Sequence, residues 1–291
     1  SSVQGLNLLS MVLGSAGYIY VEPDYLGLGM ISEDFHPYCL NEPSANSVID
    51  MIRAARNFCE FSGIPFNNQL SLIGYSEGGY STLAAQKMME EDYPDEFDIT
   101  ISFPMAGPYD LSGTMVDLML NGEPYGKPYY LPYILLAYIE YYDLGELDEF
   151  FLPEYAEILP ILFDGYHSDG EIDEQLPDIP INILHPWLID EFESDPNHFL
   201  RTYLSMNDLI DWRPESLTYL FHALGDELIP FENAQVAYDS FISNGSENIN
   251  LVPIPESYGG HQDAAPYALI TAHQLGLSLQ MINSIGDVNQ D

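Results

Sequence analysis

Basic residues are scarce in this sequence. Six lysines and arginines stand against 46 aspartates and glutamates, which gives the 291 residues a formal net charge of -40. A surface this acidic repels phosphate backbones and anionic lipid headgroups, so a nucleic-acid partner is not expected. We interpret the charge as a solvated surface suited to salty or extracellular surroundings. Calcium association and the steering of cationic ligands are the alternatives.

Long apolar runs and a starting methionine are also lacking. No run reaches the ~18 residues required to cross a bilayer, so no transmembrane segment is predicted. The chain begins at Ser1 and carries no recognisable signal peptide. Such a start is expected of a processed or shortened chain rather than of a cytosolic protein, and it favours an extracellular location.

Cysteine is nearly absent. The sequence contains two, Cys39 and Cys59. A helix is predicted from Pro43 to Glu60, and it would separate position 43 from Cys59 by ~24 Å. The four extended residues back to Cys39 recover only ~14 Å of that distance. The remainder exceeds the ~7 Å Cα limit for a disulfide, so two free thiols are predicted.

Apolar residues are plentiful, at 46% hydrophobic and 13% aromatic, and they suffice for a large core. Strand-like and helix-like segments alternate in the first part of the chain and again near its end. This order predicts an α/β fold with a mostly parallel sheet and helices on both faces. The predicted strands are Tyr18 to Tyr25, Gln69 to Tyr75, Asp98 to Pro108, Leu217 to Leu224 and Asn248 to Pro255. The predicted helices are Leu6 to Gly17, Pro43 to Glu60, Glu77 to Glu90, Phe231 to Asn244 and Ala264 to Ile285.

The alternation of strands and helices stops between Ser112 and Arg213, a stretch rich in tyrosine, proline and acidic residues. A structureless insertion of this length is improbable, so a helical cap is predicted. The expected organisation is a core in two parts, residues 1–111 and 214–285, with a cap at 112–213 and a truncated linker at 286–291. Because the first predicted strand already follows a helix, earlier strands are expected upstream of Ser1.

The segment Gly74-Tyr75-Ser76-Glu77-Gly78 connects a predicted strand to a predicted helix. G-x-S-x-G in this position is the pattern of a nucleophile elbow, in which a strained serine is exposed at the end of a strand. Gly74, Gly78 and Gly79 are expected to remove side chains that would clash there. The alternative is that Ser76 is an ordinary helix N-cap.

A nucleophilic serine needs a histidine to take its proton and an acid to orient the imidazole. Asp226 follows the predicted strand ending at Leu224, and His261 follows the predicted strand ending at Pro255, which is the expected chain order. Glu227 is a rival acid and is more simply a solvated first-turn residue. The rival bases are His222, read as a neutral hydrogen-bonded strand residue, and His273, read as a helix residue.

The remaining histidines lie in predicted loops and in the cap, and their spacing does not match a metal site. No metal ion is therefore expected, and a reaction carried out by a serine, a histidine and an aspartate requires no organic cofactor. These four residues are His36, His167, His185 and His198.

Several stretches resemble the secretory-lipase branch of the α/β-hydrolases, which are esterases and lipases with a large helical cap. They are GYIYVEPDYLGLG, HPYCLNEPSANSVIDMIRAARNF, LIGYSEGGYSTLAA, DWRPESLTYLFHALGDELIPFENA and GGHQDAAP. The resemblance implies an α/β-hydrolase fold with Ser76 as nucleophile, Asp226 as acid and His261 as base. The chain departs from the family at Ala223, where relatives usually carry glycine, and it lacks the family's His-Gly oxyanion segment.

One oxyanion-hole donor is expected to be the backbone N–H of Glu77, at the positive end of the helix that follows Ser76. The second donor is not assigned, because the segment that supplies it in relatives is absent from the sequence.

Aromatic residues of the cap segment Pro124 to Tyr142 are expected mainly to pack the cap. The alternative is that Tyr129, Tyr130, Tyr133 and Leu136 line an acyl or alcohol pocket. Tyr25, at the Gly-rich loop Gly27 to Gly29, is expected to lie near the proposed site, with a packing role as an equal alternative. Tyr75, beside the serine, is a further candidate substrate-binding residue.

The tail IGDVNQD carries Asp287, Asn289 and Asp291 at every second position, as in the first half of a calcium loop. It resembles the opening of a dockerin-type repeat, with an acidic terminus as the simpler alternative. Three ligands fall short of the six or more oxygens that calcium requires.

The sequence therefore predicts a secreted serine carboxylesterase or lipase that acts on a small-molecule or lipid ester. A related serine hydrolase, such as an aminopeptidase or acyltransferase, would use the same residues. A non-catalytic binding protein of the same fold is the third reading. Acyl length and oligomeric state are not predicted.

Overall fold

The computed structural model describes residues 8–29 and 35–280. Within these ranges, four parallel strands form one sheet in which each strand pairs with the next along the chain. The α/β prediction is confirmed, and four of the five predicted strands are present. They are Leu70–Tyr75 (β1), Ile99–Met105 (β2), Thr218–Ala223 (β3) and Ile249–Ile254 (β4).

Eleven α-helices occur in the described ranges. Five of them belong to the alternating parts of the chain: Leu8–Ser15 (α1), Asn41–Ser62 (α2), Glu77–Asp92 (α3), Glu232–Ser243 (α10) and His261–Leu279 (α11). Six lie between the two parts: Val116–Leu120 (α4), Tyr130–Tyr142 (α5), Pro153–Leu162 (α6), Asp169–Asp173 (α7), Pro186–Ser194 (α8) and Phe199–Met206 (α9).

Helices cover both faces of the sheet. Successive side chains of a strand point to opposite faces, so neighbouring residues of β3 contact different helices. Leu220 of β3 packs in a cluster with residues of α3 and α10. Its neighbour Phe221 packs in a second cluster with three alanines of α11. The sheet is thus a middle layer between α2, α3 and α10 on one side and α11 on the other.

The prediction of a strand from Tyr18 to Tyr25 is wrong. This segment has no regular secondary structure, and the side chains of Ile19 and Val21 are 47% and 37% exposed. An extended segment becomes a strand when its N–H and C=O groups pair with a neighbour. Here β1 pairs with β2 on one side, and a cleft on the other side separates β1 from residues 18–25.

The part of the chain between β2 and β3 contains helices and one isolated antiparallel bridge, Phe151 to Leu184. It has its own apolar cluster, in which Leu135 of α5, Leu159 of α6 and Leu188 of α8 are buried. This segment can therefore hold its helices together by its own burial of apolar surface.

Cys39 and Cys59 are both buried and both free, as predicted. The helix that contains Cys59, α2, begins at Asn41, two residues after Cys39. Pro43 lies in its first turn, where proline is tolerated. None of the helices in the described ranges is long and apolar enough to cross a membrane. The tail residues Asp287, Asn289 and Asp291 lie outside the described residues.

The corner between β1 and α3 leaves almost no room for side chains. A Cβ atom on Gly74 would overlap the carbonyl oxygen of Gly78, and one on Gly79 would overlap that of Met105. At Gly78, by contrast, no atom lies within 4 Å of the place a Cβ would take. The expectation of a clash is therefore wrong for Gly78, whose missing side chain would point into open space.

This difference between the two glycines of the G-x-S-x-G segment can be tested. Gly74→Ala should lower the free energy of unfolding by about 3 kcal/mol, because either β1 or α3 must shift. Gly78→Ala is the matched control and should raise it by ~0.5 kcal/mol, since alanine is the better helix former. Urea denaturation of the two variants measures both values, and equal losses would contradict the packing described here.

Candidate active site

Ser76 occupies the turn between β1 and α3 in a backbone conformation that L-amino acids rarely adopt, with φ +61° and ψ -123°. It stands at the N-cap position, but its side chain makes no capping hydrogen bond. The simple N-cap interpretation is therefore wrong. The strained backbone directs the hydroxyl toward another part of the molecule.

That hydroxyl meets a histidine and an aspartate from the far end of the chain. Ser76 Oγ lies 2.8 Å from Nε2 of His261, and Nδ1 of His261 lies 2.7 Å from Oδ2 of Asp226. Asp226 follows β3 and His261 follows β4, so both stand at the carboxyl ends of parallel strands, next to the end of β1. The side chain of Asp226 is fully buried and that of His261 is 6% exposed.

Asp226 is held as a carboxylate. Its Oδ1 accepts hydrogen bonds from the backbone N–H groups of Leu228 at 3.0 Å and Ile229 at 2.8 Å. Burial raises the pKa of Asp226, but hydrogen bonds from His222 and His261 outweigh that effect and hold the pKa at about 2. An ionised Asp226 accepts the proton on Nδ1 of His261, which leaves the lone pair of Nε2 facing the serine.

His222, buried in β3, supports the same carboxylate. Its Nε2–H group donates to the carbonyl oxygen of Ile229 at 2.7 Å and lies 3.3 Å from Oδ2 of Asp226. The loop that carries Asp226 is thereby tied back to the strand from which it emerges.

Two residues hold the backbone of His261, and neither contact was predicted. The carboxylate of Glu227 accepts a hydrogen bond from the N–H of His261 at 3.0 Å. The phenol of Tyr75 donates to the carbonyl oxygen of His261 at 2.5 Å. The interpretation of Glu227 as only a solvated acid is therefore incomplete, because its carboxylate caps the helix that begins at His261.

This cap explains where α11 starts. The helix begins at His261 rather than at the predicted Ala264, because Glu227 satisfies its first N–H group. Gly260 precedes it, and a Cβ atom there would overlap the Glu227 carboxylate. The pair Gly259-Gly260 in the sequence was thus a readable signal that something approaches closely at this point.

Glu77 is the first residue of α3, and its N–H group belongs to the four at a helix start that have no partner within the helix. The N–H of Ser76 itself donates to Met105 at 2.9 Å, so it is already used in the sheet. The positive end of the α3 dipole therefore lies beside the Ser76 hydroxyl, where a negative charge is stabilised.

A cavity of about 120 Å³ opens at Ser76 and His261 and extends under the helices between β2 and β3. Its wall is almost entirely apolar. Among the predicted aromatic residues Tyr130 lines it, whereas Tyr25, Tyr75, Tyr129 and Tyr133 do not. Other lining residues are Leu111, Met115, Met119, Ile134, Leu188, Phe192, Leu200 and Leu228.

The predicted tyrosines outside this cavity have other contacts. Tyr133 stacks on Tyr38 with ring centroids 4.6 Å apart, and Tyr129 packs on Tyr130 at 4.2 Å. Tyr25 and Tyr75 line the separate cleft beside β1. Within the described ranges, no group of three or more His, Cys, Asp or Glu side chains is placed to hold a metal ion.

Comparisons with known proteins agree with this architecture. A family model named secretory lipase matches residues 2–111. A Legionella pneumophila protein assigned to the hydrolases is 31% identical, with a TM-score of 0.86 over 96% of this chain and 74% of its own. The rice cell wall degrading esterase LipA of Xanthomonas oryzae is 30% identical, with a TM-score of 0.75 over 87% of this chain and 68% of its own.

More distant similarity extends to the fold alone. Candida antarctica lipase A is 17% identical and superposes with a TM-score of 0.64 over 86% of this chain and 57% of its own. No curated protein sequence matches the chain.

The cap that Glu227 provides can be measured as stability. Glu227→Ala should lower the free energy of unfolding by about 1 kcal/mol, because the first N–H of α11 loses its acceptor. Glu227→Gln keeps an amide oxygen in the same place and should lose only a few tenths. Urea denaturation at neutral pH compares the two, and an equal loss in both variants would show that the hydrogen bond is not what matters.

Proposed function

The chain belongs to the secretory lipase family of α/β-hydrolases, and from this premise we propose that it hydrolyses carboxylic esters through Ser76, His261 and Asp226. The observation that carries the proposal is the unbroken line of hydrogen bonds from Ser76 Oγ through both ring nitrogens of His261 to the Asp226 carboxylate, at 2.8 and 2.7 Å. The distances suit a serine hydroxyl that gives its proton to Nε2 and a carboxylate that accepts a hydrogen bond from Nδ1–H.

The reaction is acyl transfer to water. Ser76 Oγ attacks the ester carbonyl carbon while Nε2 of His261 accepts the hydroxyl proton, and Asp226 stabilises the imidazolium that forms. The tetrahedral intermediate collapses, and His261 passes its proton to the departing alcohol. A water molecule that gives its proton to His261 then attacks the acyl-enzyme. The carboxylic acid leaves and Ser76 regains its proton.

The N–H of Glu77 is the proposed donor to the oxyanion of both tetrahedral intermediates. It stands at the positive end of α3, directly after the nucleophile. An N–H held by a helix start needs no reorientation when the negative charge develops, and one such donor contributes ~10²–10³ in rate.

The apolar cavity is the proposed site for the acyl chain of the substrate. It begins at Ser76 and His261, so a chain lying in it would bring its carbonyl carbon to the hydroxyl. Its lining offers hydrocarbon contacts and few polar groups, which favours an aliphatic or aromatic chain. On this reading residues 112–213 act as a cap that supplies most of the cavity wall.

We also propose an extracellular location. The family is one of secretory lipases, and the net charge of -40 suits salty surroundings.

The roles of the three residues are tested by turnover of short-chain p-nitrophenyl esters. Ser76→Ala should lower kcat by a factor on the order of 10⁵–10⁶, and Asp226→Asn by ~10⁴, because the asparagine stabilises the wrong imidazole tautomer. Glu227→Gln is the matched control for the neighbouring carboxylate and should cost far less than Asp226→Asn. A serine-directed phosphonate should label the wild type and not Ser76→Ala.

A folded wild-type chain that neither turns over these esters nor reacts with the phosphonate would refute the proposal and favour a binding protein of the same fold. Faster cleavage of matched amides than of esters would instead point to an amidase.

The assignment of the cavity predicts a dependence on chain length. Met119 lines it and is only partly buried, so Met119→Trp should reduce the space without opening the core. The ratio of kcat/KM for p-nitrophenyl octanoate to that for the acetate should fall about tenfold or more. Met119→Leu conserves volume and should leave the ratio unchanged. An unchanged ratio in Met119→Trp would place the acyl chain elsewhere.

A further inference from the structure

His36 is a buried histidine that the proposed mechanism does not use. It precedes α2, and its side chain is 4% exposed. Nδ1 lies 2.8 Å from the carbonyl oxygen of Leu26, in the Gly-rich loop. Nε2 lies 2.5 Å from Oε1 of Glu77, the residue that follows the proposed nucleophile. One imidazole therefore bridges the loop and the first turn of α3.

The identity of the two partners dictates how many protons the pair carries. A carbonyl oxygen only accepts hydrogen bonds, and so does an ionised carboxylate. Both ring nitrogens of His36 must then carry hydrogen, which makes the ring an imidazolium. If His36 lost one proton, a nitrogen lone pair would face an oxygen, and one of the two contacts would become repulsive.

Three tyrosine rings and one carboxylate lie around the imidazole of His36. Tyr25 from the loop, Tyr38 from the adjoining segment and Tyr133 from α5 place their ring centroids 6.0, 6.3 and 6.0 Å from that of His36. Among the residues that the structure describes, Glu77, whose side chain is 29% exposed, and these three tyrosines are the titratable groups shown in contact with the imidazole.

The charge balance has the same direction. Burial lowers the pKa of His36, but the hydrogen bond and the charge of Glu77, with the bond to Leu26, outweigh it, so the pKa is raised from 6.5. A histidine whose pKa is raised by folding contributes stability that is fully present below the unfolded pKa. That contribution is lost as the pH rises through the folded pKa.

We propose that His36, as an imidazolium, is a positioning residue that fixes the first turn of α3 through Glu77 and so holds the Glu77 N–H group beside the Ser76 hydroxyl. As the pH rises and His36 loses its proton, Glu77 is released, the oxyanion donor loses its fixed position, and kcat falls. The kinetic consequence of this inference rests on the esterase activity proposed above. The protonation state of the His36–Glu77 pair does not depend on that activity.

The kinetic test uses Glu77→Gln, which keeps the shape of the side chain. A glutamine amide can donate to Nε2 of a neutral His36 while Nδ1–H still donates to Leu26, so both contacts survive without the extra proton. We expect wild-type kcat to fall about tenfold or more along an alkaline limb, as misplaced catalytic groups do. The profile of Glu77→Gln, normalised to its own maximum, should lack that limb.

Glu91→Gln makes the same change at an exposed position of the same helix and should keep the wild-type profile. If the normalised profile of Glu77→Gln keeps the alkaline limb of the wild type, His36 does not position the site.

A second measurement does not depend on activity. In ¹⁵N-labelled histidine spectra the ring nitrogens of His36, assigned through their absence in His36→Gln, should titrate above the ordinary value of ~6.5 in the wild type. In Glu77→Gln, burial without the carboxylate should bring the midpoint below it. A wild-type midpoint below the ordinary value overturns the inference, whereas the expected titration in an inactive enzyme would refute only the proposed esterase function.

Discussion

The backbone of Ser76, held at φ +61°, is the constraint on which the site depends. Such a conformation is unfavourable for serine and persists because its surroundings enforce it. The N–H of Ser76 donates to Met105 in β2, and its carbonyl oxygen accepts from Tyr80 in α3. Both bonds require the strand and the helix to approach closely, which Gly74 and Gly79 allow. The hydroxyl cannot cap its own helix and is left for the imidazole of His261.

The position of His261 is fixed by hydrogen bonds to its ring and to its backbone in the absence of substrate. Asp226 fixes the ring, Glu227 accepts from the backbone N–H, and Tyr75 donates to the backbone carbonyl oxygen. These three groups come from two separate parts of the sheet, so the position of His261 depends on the assembled core rather than on its own loop. In the proposed reaction, an imidazole fixed in this way needs little reorganisation as charge develops.

Sequence patterns predicted the parts of this structure that local chemistry determines. Hydrophobic runs located β1 to β4, and the order of Ser76, Asp226 and His261 beyond the strands predicted which side chains meet. The failures were non-local. Residues 18–25 have the composition of a strand, but strand structure depends on a neighbour that composition does not reveal. The contacts of Glu227 and His36 join positions 34 and 41 residues apart, and no periodicity reports such pairs.

The scarcity of basic residues bears on the chemistry of the interior. Among the residues that the structure describes, those that line the cavity or form the hydrogen-bonded site include no lysine or arginine. The carboxylates of Asp226 and Glu77 are matched instead by imidazoles, His261 and His222 for the first and His36 for the second. An arginine partner would stay charged at every accessible pH, whereas an imidazole changes charge near neutrality. In the role proposed for His36, its contact with Glu77 therefore depends on the pH of the medium, whereas an arginine in the same place would hold Glu77 at every accessible pH.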